Sequence, residues 1–543
     1  MRWFHLLFAS VVVIATSALA DPPMVGPETT YYLEPLDDEG YVDYVAALNA
    51  AFGDADAAPQ NNAFVGILNQ TFTFYPDLEH VEKLYATLGV KLPADDAPQF
   101  VRFLDYAENQ GLPMAPPFDW QNAPFDAEAP PPPPGSADAM EERAYGEPWT
   151  AQELPEVSHW LDSIQDPLDA VVEATQRPAY YAPLIRSHPQ ATMIEVMLPQ
   201  LGTHRAVGRS LSMRARRSVG EGDLDAAIAD WTAMKRLAVL QKREPVLISN
   251  LVGISIQALS NDVFNLIVSQ PALTAAHIEQ MQQVLAHLPP GVDMADVIFR
   301  AERVSSLDLL TKASRGQVQI LDIIRMMQSV SEQSEPSIFF INEREADPLT
   351  ALISSPNFDL DSALRRINTA WDQWFGEIPD DFADFIDQLE NTESEIEQIA
   401  TKAGQNMTSL IMMGQAGIPE GADRKQIAEQ TANLFLGILT PSLSAAITTE
   451  RQSQTLAALE PVALALASYR LDHGNYPPLL QSLVPDYLDL LPTDPLGNKS
   501  LRYRRQADGY RLYSVGTNFT DDGGIHDFRE GDIVLTVPWS VTE

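Results

Sequence analysis

The chain has 543 residues, and its 75 acidic residues outnumber its 35 basic residues, which gives a formal net charge of −40 at pH 7. Such a surface repels phosphate backbones and anionic lipid headgroups, so the charge argues against binding to nucleic acid or to membrane surfaces. The sequence has no cysteine, which excludes disulfide bonds, a cysteine nucleophile and a lipid-modified cysteine. At this length we expect about two to four domains.

The first twenty residues have the three parts of a cleavable secretory signal peptide. Arg2 supplies a positive charge, residues 6–15 form an apolar core, and Ala18-Leu19-Ala20 is a small-x-small cleavage site. The alternative is an uncleaved anchor, but the apolar run is shorter than the roughly 20 residues that span a bilayer. We therefore expect residues 1–20 to be removed and the mature chain to be periplasmic or secreted. No later stretch is expected to span a membrane, so no stable membrane insertion is predicted.

Residues 21–112 are predicted to form an amino-terminal helical region, because apolar residues recur there at three- and four-residue spacing. Residues 113–148 follow as a proline-rich linker, in which Pro130 to Pro134 are consecutive. Such a run lacks backbone donors and favours an extended polyproline conformation. It could also be a ligand for a groove on another protein, but a stiff linker is the favoured interpretation.

Residues 149–447 are predicted to form a helical domain without a sheet. Its clearest helix runs from Asp223 to Leu240, with one apolar stripe that includes Trp231. Gly222 is expected to end the preceding helix, and Asp223 is expected to cap the new one. A second amphipathic helix is predicted from Leu360 to Phe375.

No catalytic motif stands out in the sequence. The nine histidines do not fall at metal-ligand spacings, and there is no His-Glu-x-x-His, no Gly-x-Ser-x-Gly and no phosphate-binding loop. Acidic pairs are too frequent on this chain to indicate general acid–base catalysis. Arg214, Arg216 and Arg217 form a basic cluster. Acidic side chains of the same chain are its expected partners, and an anion site is the alternative.

Residues 448–543 have a different pattern and are predicted to form a small α+β domain. A helix ends at Gly474, whose lack of a side chain suits a left-handed cap. Asp508-Gly509 is a strong hairpin signal between two alternating segments. The predicted elements are a helix over 455–471, short helices over 479–483 and 485–491, and strands over 501–505, 510–515 and 533–537.

Three spaced segments of this domain carry a resemblance to a known family. They are Tyr469 to Pro477 (YRLDHGNYP), Leu491 to Asn498 (LPTDPLGN) and Tyr510 to Gly516 (YRLYSVG). In this order they closely resemble the globular head of the major pseudopilins of type II secretion, over about residues 450–535. The resemblance implies the fold of the head, and only weakly a secretion role, because pseudopilins begin with a long apolar helix that this chain does not share. The rest of the chain resembles uncharacterised exported bacterial proteins, which brings no activity with it.

The resemblance also implies a Ca²⁺ ion in the loop that follows the last of these segments. Carboxylate and amide oxygens on a glycine-bearing loop are ligands that Ca²⁺ prefers. An EF-hand is excluded, because Arg529 stands where its closing glutamate would be. The alternative is a solvated acidic turn without an ion. The predicted metal ligands are Asn518, Asp521, Asp522 and Asp532.

These observations together predict an exported, non-enzymatic binding or scaffold protein of the cell envelope, with a protein partner and with a calcium-stabilised carboxy-terminal module. One alternative is an accessory component of type II secretion, which follows from the resemblance alone. Another is a hydrolase whose carboxylate site is assembled in the helical domain from residues that are distant in sequence.

Overall fold

The computed structural model of the protein describes residues 22–53, 57–75, 77–94, 96–118, 130–196, 198–289, 291–292, 294–323, 347–376, 379, 381–412, 418, 421–440, 443–497, 499–525 and 531–539, with the backbone alone at 404–412. The predicted signal peptide and residues 119–129 of the predicted linker lie outside these ranges. The described chain is mainly helical, with one small antiparallel sheet near its carboxyl end, which confirms the mainly α fold class.

The helices are numbered here in chain order. The first group is α1 (Tyr44–Phe52), α2 (Ala63–Thr71), α3 (Leu78–Thr87), α4 (Phe103–Asn109), α5 (Ala137–Gly146), α6 (Pro155–Ser163), α7 (Gln165–Ala174), α8 (Gln200–Glu221), α9 (Leu224–Gln241) and α10 (Leu247–Val268). The second group is α11 (Ala275–Ala286), α12 (Met294–Val297), α13 (Arg303–Ser314), α14 (Pro348–Ile353), α15 (Leu360–Phe375), α16 (Phe382–Met412), α17 (Arg424–Leu439) and α18 (Leu443–His473). A π-helical turn, Ile298–Glu302, joins α12 to α13.

Helices α8, α9 and α10 pack against one another and form the centre of the molecule. The turn between α8 and α9 has the predicted chemistry: Gly222 adopts φ +82°, and the Asp223 carboxylate accepts the N–H of Ala226 at 3.0 Å. The predicted amphipathic helix over 360–375 is α15, with the same bounds. Local capping and periodicity therefore determine these helices.

Helix α10 and the stretch Arg424–His473 are long and apolar enough to cross a membrane by length and composition, which the sequence-based prediction did not anticipate. In α10, however, 61% of the apolar window is buried inside the protein. A helix that is apolar on most sides is also what the middle of a helical core requires. We interpret α10 as a core helix.

The predicted linker over 113–148 contains helix α5, so it is not an extended spacer throughout. Ser136 begins the helix by accepting the N–H of Ala139 at 3.2 Å, just after the proline run. Ala137 and Ala144 are fully buried where α5 packs against α4 and α8. The residues after Pro134 are good helix formers, and this local preference together with the two buried alanines explains the difference.

Helix α18 runs through residue 448, where a domain boundary was predicted. The sheet that follows has the order β1 (Arg502–Arg505), β2 (Tyr510–Ser514) and β3 (Ile533–Val537), with both pairs antiparallel. The segment 485–491, predicted as a short helix, is a turn with irregular structure. Strands β2 and β3 pack on α18, and β3 also contacts α10. The sheet and the central helices therefore share one hydrophobic core.

Candidate functional site

Asp532 lies at the end of the predicted metal loop, directly before β3, and is fully buried. Its carboxylate accepts the backbone N–H of Gly524 at 2.6 Å and that of Asp522 at 3.4 Å. Burial raises the pKa of Asp532, and the two backbone hydrogen bonds oppose that change. These hydrogen bonds give Asp532 a clear role in positioning residues 522–524.

The other predicted ligands face partners within the module. Asp521 accepts the hydroxyl of Tyr513 at 3.1 Å and lies 3.8 Å from Arg502 and 3.9 Å from Arg504. The Asn518 amide donates to the Asp522 carboxylate at 2.9 Å.

These oxygens have the chemistry that Ca²⁺ prefers. Nowhere in the described ranges do three histidine, aspartate or glutamate side chains meet as a metal site would require, and residues 526–530 of this loop lie outside those ranges. The calcium site therefore stays a prediction.

A buried polar cluster lies on the inner side of α8. The carboxylate of Glu244 accepts hydrogen bonds from Tyr180 at 2.6 Å, Ser249 at 2.6 Å and Gln200 at 3.2 Å. Burial raises the pKa of Glu244, although these hydrogen bonds oppose the change. The adjacent cavity measures about 10 Å³, which holds about one water molecule. Because Glu244 is buried and its hydrogen bonds are made within the chain, we assign the cluster to the core.

The basic cluster noted in the sequence is used internally, as expected. Arg214 binds Asp230 and Asp169 at 2.6 Å each. Arg217 binds Asp162 at 2.8 Å. Arg216 is 3% exposed and contacts the hydroxyl of Ser212 on its own helix. Arg214 and Arg217 therefore pair with acidic residues of neighbouring helices, and Arg216 contacts a residue of its own helix.

A different set of arginines lines an open cleft at the start of α8. The cleft has a volume of about 230 Å³. Its walls come from the segment before α4, from the end of the 3₁₀ turn Phe72–Phe74 and from the first three turns of α8. The lining residues are Phe74, Arg102, Pro199, Gly202, Thr203, Arg205, Ala206 and Arg209.

The three arginines of the cleft differ in how they are neutralised. Arg102 makes a two-point ion pair with Asp105, at 2.6 and 2.9 Å, and its guanidinium lies 5.5 Å from the centre of the Phe74 ring. Arg209 lies over the ring of Tyr145 at 5.3 Å. Arg205 is exposed and makes no hydrogen bond or ion pair with any part of the chain that the structure describes.

The backbone adds to the positive character of this cleft. Helix α8 has 22 residues and begins without a side-chain cap. The partial positive charge of a helix amino terminus therefore acts at Gly202 and Thr203, next to Arg205. Thr203 donates its hydroxyl to the carbonyl of Pro199 at 3.3 Å. The guanidinium groups make the lining of the cleft positively charged, and the described residues that line it include no carboxylate, histidine or cysteine.

Sequence reasoning did not identify this cleft, because Arg102 and Arg205 are about a hundred residues apart. One local signal was present. Arg205 and Arg209 are four residues apart on a helix and therefore share a face, on a chain where acidic residues outnumber basic ones by more than two to one.

Comparison with known proteins provides no relative for this chain: no family model, no curated protein and no solved structure matches it.

Proposed function

We propose that this chain is an exported, non-enzymatic binding protein that holds a small anionic ligand in the cleft of Arg102, Arg205 and Arg209. The observation that carries the proposal is Arg205, an exposed cation without a partner in the described structure, although the chain has a net charge of −40. Acidic side chains are abundant, and Arg102, Arg214 and Arg217 each pair with one. An arginine left available beside two others is therefore suited to a partner that arrives from solution.

The composition of the cleft indicates the kind of ligand. Guanidinium groups bind carboxylate, phosphate and sulfate oxygens in a planar, two-point geometry. Phe74, Pro199 and Ala206 supply apolar surface beside these groups. A volume of about 230 Å³ is smaller than that of pockets for drug-sized molecules, which start at roughly 300 Å³. These features favour a compact organic anion, with its acidic group on the arginines and its carbon skeleton on the apolar wall.

The charge distribution of the protein favours small anions over large polyanions as ligands of the cleft. The strongly acidic surface repels large polyanions, which disfavours nucleic acid as the ligand. A small anion in the cleft is affected mainly by the nearby arginines. Salt at ordinary concentration screens the repulsion from acidic groups that lie more than about 10 Å away. The proposal therefore predicts binding that weakens as ionic strength rises.

Inorganic phosphate and sulfate are suitable probes of this cleft. We expect both to bind the full mature chain at low ionic strength, as measured by isothermal titration calorimetry. Arg205→Ala and Arg209→Ala should each weaken binding by roughly tenfold or more, because a hydrogen bond to a charged group contributes roughly 1.5–3 kcal/mol.

Arg424→Ala is the matched control, because Arg424 is also an exposed arginine on a helix but lies far from the cleft in sequence and lines no part of it. It should leave the affinity unchanged. Equal losses in all three variants would show that the anions respond only to net charge and would contradict the proposed site. Absence of binding at low salt would contradict it as well.

Calcium binding by the carboxy-terminal loop is a separate prediction that rests on the family resemblance. If the loop holds Ca²⁺, the ion should raise the melting temperature of the full mature chain relative to the same protein in chelator, because a ligand that binds only the folded state stabilises it. Asp532→Asn should abolish the increment. Asp508→Asn, in the exposed hairpin turn, should keep it. An increment that is the same in both variants would place the ion elsewhere.

A further inference from the structure

Glu141 is a partly buried carboxylate close to two arginines of the proposed anion cleft. It lies on α5, one helical turn before Tyr145, so the two side chains share the face of α5 that packs on α8. Arg209 lies over the Tyr145 ring, which brings its guanidinium to this same face. Glu141 interacts electrostatically with both Arg209 and Arg102, two of the three arginines of the cleft.

We propose that Glu141 and the bound anion compete for these arginines, so that ligand binding is coupled to proton uptake and the ligand is released as pH rises. This inference rests on the proposed function, and it adds a mechanism by which the same cleft responds to its surroundings.

The charge balance of the cleft gives the direction of the effect. Asp105 already neutralises Arg102 through its two-point pair. An ionised Glu141 offsets part of the charge on Arg209, which leaves Arg205 as the main attraction for a ligand. A protonated Glu141 leaves Arg209 available together with Arg205. Because a carboxylate and a ligand anion repel each other across a shared cation, the anion binds more tightly to the protein in which Glu141 carries a proton.

The surroundings of Glu141 act on its pKa in both directions. Burial raises the pKa of Glu141 above its ordinary value of 4.5, Arg209 and Arg102 lower it, and Asp138 and Asp105 raise it further. The resulting pKa is raised. The coupling between proton binding and anion binding therefore has a defined direction. Anion affinity is highest at pH values below the pKa of Glu141 in the ligand-free protein, and it falls as pH rises through that pKa.

Helix α6 also packs against α5 and carries further titratable groups. They are Glu156, His159 and Asp162. Acidification also lowers the negative charge of the whole protein, so a wild-type pH profile alone does not isolate Glu141. The comparison has to be made between variants that share all of these other groups.

Sulfate is the appropriate probe, because its charge stays constant over the range in which glutamate and histidine titrate. We would measure sulfate affinity by calorimetry between about pH 4.5 and pH 8, a range that includes the ordinary pKa values of both residue types. The wild-type protein and Glu142→Gln, which removes an exposed carboxylate next in the chain, should show the same steep loss of affinity as pH rises. Glu141→Gln should retain tight binding at the upper end, with roughly three- to tenfold less change across the range.

Proton uptake gives an independent measurement. In two buffers with different ionisation enthalpies, sulfate binding to the wild-type protein should take up a fraction of a proton at the pH where its affinity falls most steeply. Binding to Glu141→Gln at the same pH should take up less. Sulfate binding with identical pH profiles in wild type and Glu141→Gln would overturn the inference and leave the binding function intact. Failure of every variant to bind sulfate at any pH would overturn both.

Discussion

Replacing Glu460 with Ala is expected to lower the free energy of unfolding by about 3 to 5 kcal/mol. Glu460 on α18 and Lys235 on α9 form an ion pair at 2.6 Å, with 1% and 4% of their side chains exposed. Lys235 also donates to the amide oxygen of Asn261 at 2.8 Å. Removal of the carboxylate leaves an ammonium group buried without a counter-charge, and that desolvation is the source of the loss.

The loss should depend on pH in a defined direction. Burial lowers the pKa of Lys235, and the Glu460 carboxylate opposes that change in the wild-type protein. In Glu460→Ala the pKa of Lys235 in the folded state is therefore lower than in the wild-type protein. It lies further below the value of 10.5 expected for an unfolded lysine. The unfolded state binds more protons between these two values, so the variant regains stability as pH rises through that window.

Urea unfolding of the single and double variants provides the test. Lys235→Met combined with Glu460→Leu should be close to the wild-type protein in stability, or exceed it, because apolar groups of similar size remove both desolvation costs. A single variant that loses less than about 1 kcal/mol would mean that the pair is hydrated in solution, as surface pairs are. The variants also report on architecture, because this pair joins the helix of the carboxy-terminal module to the central bundle.

Replacing Trp231 with Ala is expected to cost about 3 to 5 kcal/mol of unfolding free energy. Trp231 lies on α9 with none of its surface exposed, and its ring centre is 5.8 Å from that of Phe264 on α10. Truncation leaves a cavity between the two central helices, and a close-packed core refills such a space only in part.

Trp231→Phe separates packing from polarity. The phenyl ring keeps much of the contact with Phe264 and removes the indole N–H, which has no hydrogen-bond partner in the described structure. We therefore expect a much smaller loss than for Ala, below about half of it, in urea unfolding followed by circular dichroism. Equal losses of unfolding free energy in both variants would contradict this expectation. They would show that a phenyl ring cannot replace any of the contribution that the larger indole makes at this position.

Some features of the fold follow from short segments of sequence. The boundaries of α9 and α15 were predicted within about two residues, because an amphipathic stripe and an aspartate cap act over a few neighbouring residues. The strand pair around Asp508-Gly509 was predicted for the same reason, since the turn sets the register locally. The likeness of this sheet and its helix to the pseudopilin head remains a prediction.

Longer-range features were predicted less well. The run Pro130 to Pro134 indicated a linker, yet the residues just after it form α5, because α4 and α8 provide a surface that buries Ala137 and Ala144. The boundary near residue 448 was inferred from a change in sequence pattern, while α18 continues across it and lies in the same core as the central helices. Both differences arise from packing partners that sequence periodicity does not identify.

For this protein the amino-acid sequence alone established the acidic surface, the absence of cysteine chemistry, the mainly helical class and the small carboxy-terminal sheet, because composition and local periodicity suffice for these. The arginine cleft depended on the tertiary structure. Arg102 comes from the segment before α4, and Arg205 and Arg209 come from α8, so their charges act together only after folding. The same holds for their ion pairs. In the part of the chain that the structure describes, Asp105 lies beside Arg102 and no partner lies beside Arg205, and this difference depends on distance in space.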